Sequence, residues 1–247
     1  MRLIAATAAL LALTFAAPAL AQSVMQRIQF ADPAGKTISA AVWTPETPST
    51  EPRALVVMSH GNGGAFGGHQ DTAEALAEAG FVVAALTHPG DNYLDMSRSL
   101  QLTDRPPHVS ALITYMTDQW RGAAGVDKTR IGAFGFSAGG FTVLTLAGGA
   151  ILDHCAAHAA FFVCTLFTPQ TLDVSDWRPR GVDNRIKAIV AAAPGFGFSF
   201  SDVSLQGVRV PVQLWQAGED QILPAPFHVE TLRDRLPGEV EYHLVPG

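Results

Sequence analysis

The order of apolar and helical stretches predicts an α/β domain on a mostly parallel, doubly wound sheet of about eight strands. Three observations predict it. Short continuous apolar runs recur along the chain, as expected of strands covered on both faces. Segments of helical period alternate with them. And one strand-to-helix junction, Gly135-Phe136-Ser137-Ala138-Gly139-Gly140, carries the pattern G-x-S-x-G.

The chain opens on a targeting pattern. Met1-Arg2 is a small positive region, 3–15 an apolar core, and Ala19-Leu20-Ala21 an A-x-A cleavage site. Residues 1–21 therefore read as a signal peptide and 22–247 as one large α/β domain, exported to the periplasm or secreted. The apolar stretch is short for a membrane span and no stop-transfer pattern follows it. Formal charge is −6, with no basic run, so nucleic acid is not an expected partner. Cys155 and Cys164 are the two cysteines. Their spacing fits neither a redox C-x-x-C nor a zinc site, and in an oxidising compartment a disulfide between them is expected. No metal is called for.

Residues 26–30 and 38–43 alternate as two strands around the turn Asp32-Pro33-Ala34-Gly35. The apolar run 54–58 is a buried strand ending in Ser59-His60-Gly61-Asn62-Gly63-Gly64. A helix is expected over 71–79, a strand over 81–86 and a second helix over 107–120. The elbow strand 130–136 and its helix follow, stopped by Gly148 and Gly149. Residues 150–182 break the rhythm and read as an insertion or small lid over the sheet. Strands resume at 186–193 and 211–217, a helix is expected over 226–236, and 240–245 is a last strand.

At the elbow, a serine in a tight turn projects its hydroxyl beyond the sheet, and glycines at 135 and 139 let strand and helix close around it. A hydroxyl needs a base, and the base needs an acid to orient it. Asp220, in the loop after strand 211–217, is the expected acid, with Glu219 the neighbouring alternative. Two N–H donors must meet the developing oxyanion; Ala138 and Asn62 are expected to supply them, with Gly61 as the fallback. His60, Phe66 and Phe136 are expected to border the substrate, and His88 and Asp91 to lie beside it or brace a loop. The base itself should follow Asp220. His228 falls in a helical stretch and His243 inside a strand, so the expected base lies beyond Val245-Pro246-Gly247. On this expectation the sequence stops short of the catalytic-histidine loop and the last helix, and the chain as it stands is impaired.

With Ser59-His60-Gly61-Asn62-Gly63-Gly64, Gly135-Phe136-Ser137-Ala138-Gly139-Gly140 and Gly218-Glu219-Asp220 in place, the chain resembles α/β-hydrolases. More narrowly it resembles exported bacterial predicted dienelactone hydrolases and platelet-activating-factor acetylhydrolase-like esterases, over nearly all of 22–247. The resemblance implies an α/β-hydrolase fold, a carboxylic-ester hydrolase acting on a small-molecule ester through an acyl-enzyme, and no cofactor. It also implies a continuation past Val245-Pro246-Gly247 carrying a Gly-His pair. One departure stands out: true dienelactone hydrolases use a cysteine nucleophile, and position 137 is serine.

Overall fold

The structure is a computed structural model and describes residues 22–99, 101–149, 181–200 and 202–246. The signal-peptide reading of 1–21, the Cys155–Cys164 pairing and nearly all of the 150–182 insertion lie outside the described residues.

Eight strands form one sheet in the order β1-β2-β4-β3-β5-β6-β7-β8. They are β1 (Ser23–Ala31), β2 (Thr37–Pro45), β3 (Arg53–Ser59), β4 (Val82–Leu86), β5 (Val126–Phe136), β6 (Ile186–Ala192), β7 (Val212–Ala217) and β8 (Val240–Val245). The first two pair antiparallel at one edge, and β3 to β8 run parallel. Each expected strand is present. The β1–β2 turn closes on Asp32, whose carbonyl accepts the Gly35 N–H at 2.9 Å, with Gly35 at φ 82°.

Helix α1 (Gln70–Glu78) lies on one face, where Ala73 and Ala77 pack with Trp43, Met58 and Val83. On the other face, α2 (Arg105–Thr114), α3 (Ala138–Leu146) and α5 (Val229–Arg233) join one large core with Leu55, Ile131 and Leu214. A four-residue helix, α4 (Asp202–Leu205), belongs to the same side through Leu205. α3 is buried along its whole length, so its uniformly apolar sequence reflects enclosure rather than amphipathicity. Among the described helices only α1 lies on the first face. An open apolar groove of about 820 Å³ runs on from it across β5 to β7, between Leu76 and Trp215. None of the described helices is long and apolar enough to cross a membrane.

Two elements differ from expectation. The second helix starts at Arg105 and ends in a π-helical turn, Tyr115–Gln119. The stretch 226–236 is not one helix: a 3₁₀ turn, Ala225–Phe227, gives way to α5 at His228, whose φ −120° and ψ −83° interrupt the helical path. Gly197 presses against that point, since a Cβ on it would fall 2.1 Å from the His228 carbonyl oxygen.

The connections decide where a site can form. The chain leaves β3 for β4 on one side and returns across it to β5 on the other. Between the carboxyl ends of β3 and β5 the strand order therefore reverses, which opens a crevice beyond the sheet edge. Ser59 and Gly135 pair there.

Candidate active site

Ser137 stands at this reversal. It follows β5 with φ 54° and ψ −117° and caps α3. A non-glycine residue in that region is strained, by an amount on the order of 1–3 kcal/mol. Among the described residues three non-glycines have positive φ: Ser137, Ala193 at 41° and Phe196 at 58°. They belong to one assembly. The Ser137 N–H donates to Ala192 O at 3.0 Å, and the Gly195 N–H donates to Ser137 O at 3.0 Å. Strain is thus concentrated where the chain passes from β5 into α3 and out of β6.

The glycines of the elbow are required by contact. A Cβ on Gly135 would lie 2.0 Å from Gly139 O, and one on Gly140 would lie 2.8 Å from Pro194. Ser137 is half-buried, and its hydroxyl makes no hydrogen bond to the described residues.

The loop after β3 comes directly onto Ser137. An ideal Cβ on Gly61 would be 3.3 Å from Ser137 Cβ and 3.2 Å from Phe136 Cδ1. Next to it, Asn62 is exposed, and its side-chain Nδ2 donates to Asp91 Oδ1 and Ser99 O, each at 3.1 Å. Neither the Asn62 nor the Ala138 backbone N–H is donated to an acceptor among the described residues. Ala138 is the first residue of α3, where N–H groups have no intrahelical partner.

The acid loop follows β7. Asp220 Oδ1 accepts the Ile222 and Leu223 N–H groups at 2.9 and 2.8 Å, which fixes the carboxylate and leaves Oδ2 without a described partner. Glu219 is exposed. Contact with the elbow runs through Leu223. The Cβ position of Gly195 lies 3.8 Å from Leu223 Cδ2, 3.8 Å from Ala138 N and 3.7 Å from the Ser137 carbonyl carbon.

The remaining expected residues separate. Phe136 is 38 % exposed and lies beside Gly61, with the His69 ring 4.8 Å away. Phe66, expected at the substrate, instead packs against the core under α1, with Arg27 5.8 Å above its ring. His60 has no polar atom to offer a substrate. Its Nε2 accepts the His88 N–H at 3.0 Å, so the proton is on Nδ1, which donates to Gly61 O at 2.6 Å. Burial, helped by the nearby Arg105 charge, pushes its pKa down to about 3. It braces the loop as a neutral ring. The backbone conformation of 59–64, not the imidazole, is what this histidine serves.

Of the two histidines after Asp220, His243 stacks on Trp215 at 4.1 Å and its Nε2 meets Glu241 Oε1 at 2.8 Å. His228 is buried, its Nδ1 has no hydrogen-bond partner among the described residues, and Asp220 attracts its charged form. Burial nonetheless dominates and pushes its pKa down to about 4.

Beneath the Asn62 loop lies a polar cluster that sequence reading missed in large part. Arg105 is buried against Asp91 as an ion pair, and also donates to His60 O and to Thr142 Oγ1. Ser59 Oγ meets His88 Nε2 at 2.8 Å, and His88 Nδ1 meets His108 Nδ1 at 3.3 Å. One signal was present: a cation at the start of a helix opposes the helix dipole and needs a local reason.

No family model matches the chain, and no curated protein matches it. Among solved structures it is similar to the acylaminoacyl peptidase of Pyrococcus horikoshii, with a TM-score of 0.62 and 14% identity. The likeness covers 92% of this chain, which spans only 38% of that chain. At this identity the likeness shows the fold, and the fold is that of the α/β-hydrolases.

Proposed function

We propose that this protein is a serine hydrolase of carboxylic esters, working through an acyl-enzyme without metal or cofactor, in an exported dienelactone-hydrolase-like group. The observation that carries the reading is the strained Ser137 at the sheet's carboxyl edge, with the Asn62 loop packed on its Cβ and two undonated N–H groups beside it. Strain of this kind persists where a surrounding structure enforces it for function.

Ser137 Oγ attacks the ester carbonyl carbon as its proton passes to a histidine. The carbonyl oxygen becomes an oxyanion, held by the Ala138 and Asn62 N–H groups. Collapse breaks the ester C–O bond, and the histidine returns the proton to the leaving alcohol. Water then repeats the sequence on the acyl-serine and releases the acid. Asp220, with Oδ1 fixed by two amides, has Oδ2 left to hold the imidazole in the correct tautomer. One observation bears on which histidine this is: His228 is buried, its Nδ1 has no hydrogen-bond partner among the described residues, and it lies in the field of Asp220.

A fluorophosphonate probe tests the reading. Ser137 should take up the phosphonyl group, and Ser137→Ala should not; an unlabelled Ser137 in active-site-competent, folded protein would support a non-catalytic binding protein instead. Hydrolysis of p-nitrophenyl acetate, compared with acetyl p-nitroanilide and an acetyl thioester, separates an esterase from a peptidase or thioesterase. Loss of ester turnover in His228→Gln, restored by added imidazole, would assign the base to His228; unchanged turnover would exclude it.

A further inference from the structure

We propose that Arg105 and Asp91 are positioning residues that hold the two oxyanion donors in register, by tying the Asn62 loop to the helix that starts at Ala138. The proposal rests on the serine-hydrolase reading and deepens it.

The two donors come from segments far apart in the chain. Asn62 is on a loop beyond β3, whereas Ala138 opens α3. A donor pair must be held to within roughly half an ångström of its working geometry to stabilise an oxyanion. Ala138 is fixed by its helix. Asn62 lies outside any regular element and needs another anchor.

Arg105 supplies it from the first position of α2. Three of the four partners its guanidinium reaches bear on the two donors, Ser59 Oγ at 3.4 Å being the fourth. One Nη pairs with Asp91 Oδ2, the other donates to His60 O, and Nε donates to Thr142 Oγ1 at 3.1 Å. Thr142 Oγ1 in turn donates to Ala138 O at 2.8 Å. One planar cation therefore touches the residue two before Asn62 and, through a single hydroxyl, the carbonyl of the other donor residue. Asp91 completes the link. Its Oδ1 accepts the Gly63 N–H at 2.8 Å and Asn62 Nδ2 at 3.1 Å. The loop is thereby gripped at His60, Asn62 and Gly63, while the Asn62 N–H is left undonated.

Simple stabilisation does not explain this arrangement. Arg105 is 1 % and Asp91 3 % exposed, and a buried ion pair is weak evidence of a net gain in stability over an apolar pair. The planar fork offers several donors in fixed directions, which an ammonium cannot.

The test uses the full chain. Arg105→Met should lower kcat for p-nitrophenyl acetate about 100-fold, the scale of one lost oxyanion donor, with KM changed less than about two-fold. Arg105→Lys should recover part of that loss. Amide exchange at Gly63 should accelerate at least about ten-fold in Arg105→Met relative to amides within α3. Asn62→Ala guards against a variant that fails to fold. Asn62 is exposed, and the change removes the side-chain half of the Asp91 grip while keeping the Gly63 N–H bond to Asp91 and the backbone donor; it should lower kcat in the same direction but by less, about ten-fold, with KM held. If kcat is unchanged, or if it falls only in step with a rise in KM, or if Gly63 exchange is unaltered in a folded variant, the proposal is overturned. A wild-type chain with no ester turnover but with Gly63 protection lost in the variants would overturn the hydrolase reading and leave the clamp as a property of the loop.

Discussion

Gly139 lies against Ser59: a Cβ on Gly139 would sit 1.9 Å from the Ser59 carbonyl oxygen. Strand β3 and the elbow helix are therefore in backbone contact directly under Ser137. No side chain fits between them. Both partners are backbone, so neither can swing aside as a flexible side chain would.

Gly139→Ala should accordingly cost several kcal/mol, on the order of 3–4, the range of severe overpacking. For a domain of this size that lowers the unfolding midpoint by roughly 10 °C. Thermal unfolding followed by circular dichroism checks it. Gly125→Ala is the control, because a Cβ there meets nothing within 4 Å, and its midpoint should stay within about 2 °C.

Asp220→Asn isolates the acid. The asparagine carbonyl can still accept the Ile222 and Leu223 amides that fix Oδ1, so the loop should hold its shape. What changes is the charge behind the imidazole and its tautomer. With ester substrates kcat should fall by about 10³- to 10⁴-fold, while the unfolding midpoint barely moves. Glu219→Gln, on an exposed neighbour, should leave kcat within about two-fold. Equal losses in the two variants would contradict the assignment of Asp220.

Phe136→Ala probes the crevice. Its ring is 38 % exposed beside Gly61, so its removal takes apolar surface from the crevice more than from the core. Discrimination between long-chain and short-chain esters should fall by about ten-fold, the scale of one or two buried methylenes. Kinetics with p-nitrophenyl acetate and butyrate measure it.

Acid should destabilise the fold through its buried histidines. Burial lowers the pKa of His60 to about 3 and of His108 and His228 to about 4, whereas an unfolded histidine titrates near 6.5. Below about pH 6.5 the unfolded chain binds protons that the folded chain refuses, so stability falls as pH drops towards 4 and is level above 7. Each such histidine adds up to about 1.4 kcal/mol per pH unit to the slope. Urea unfolding at pH 7, 5.5 and 4.5 should show this, and His108→Gln should flatten it by about one such increment. A stability that is flat across that window would refute the assignment of neutral buried imidazoles.

Local pattern alone made eight strands, their alternation with helices, the tight turn at Ser137 and the position of the Asp220 loop legible. Each is written in contiguous residues: an apolar run for a strand covered on both faces, small residues where backbones meet, a carboxylate just past a strand end. The roles of side chains were less legible. His60 and Phe66 look alike in the chain as crevice residues beside Asn62, yet one ring is locked between two backbone groups and the other packs under α1. The break in the last helix at His228 depends on Gly197, some thirty positions away in the chain.

What the amino-acid sequence by itself determined was the order of elements and the place of the tight turn at Ser137, because these depend on neighbours a few residues apart. Tertiary structure alone decided that Arg105, Asp91 and Thr142 converge beneath the Asn62 loop. Arg105 and Asp91 come from the β4–β5 connection and Thr142 from the β5–β6 connection, and they meet beneath a loop of the β3–β4 connection only because the strand order reverses between β3 and β5. A buried charge declares its partners in space, and no local spacing encodes them.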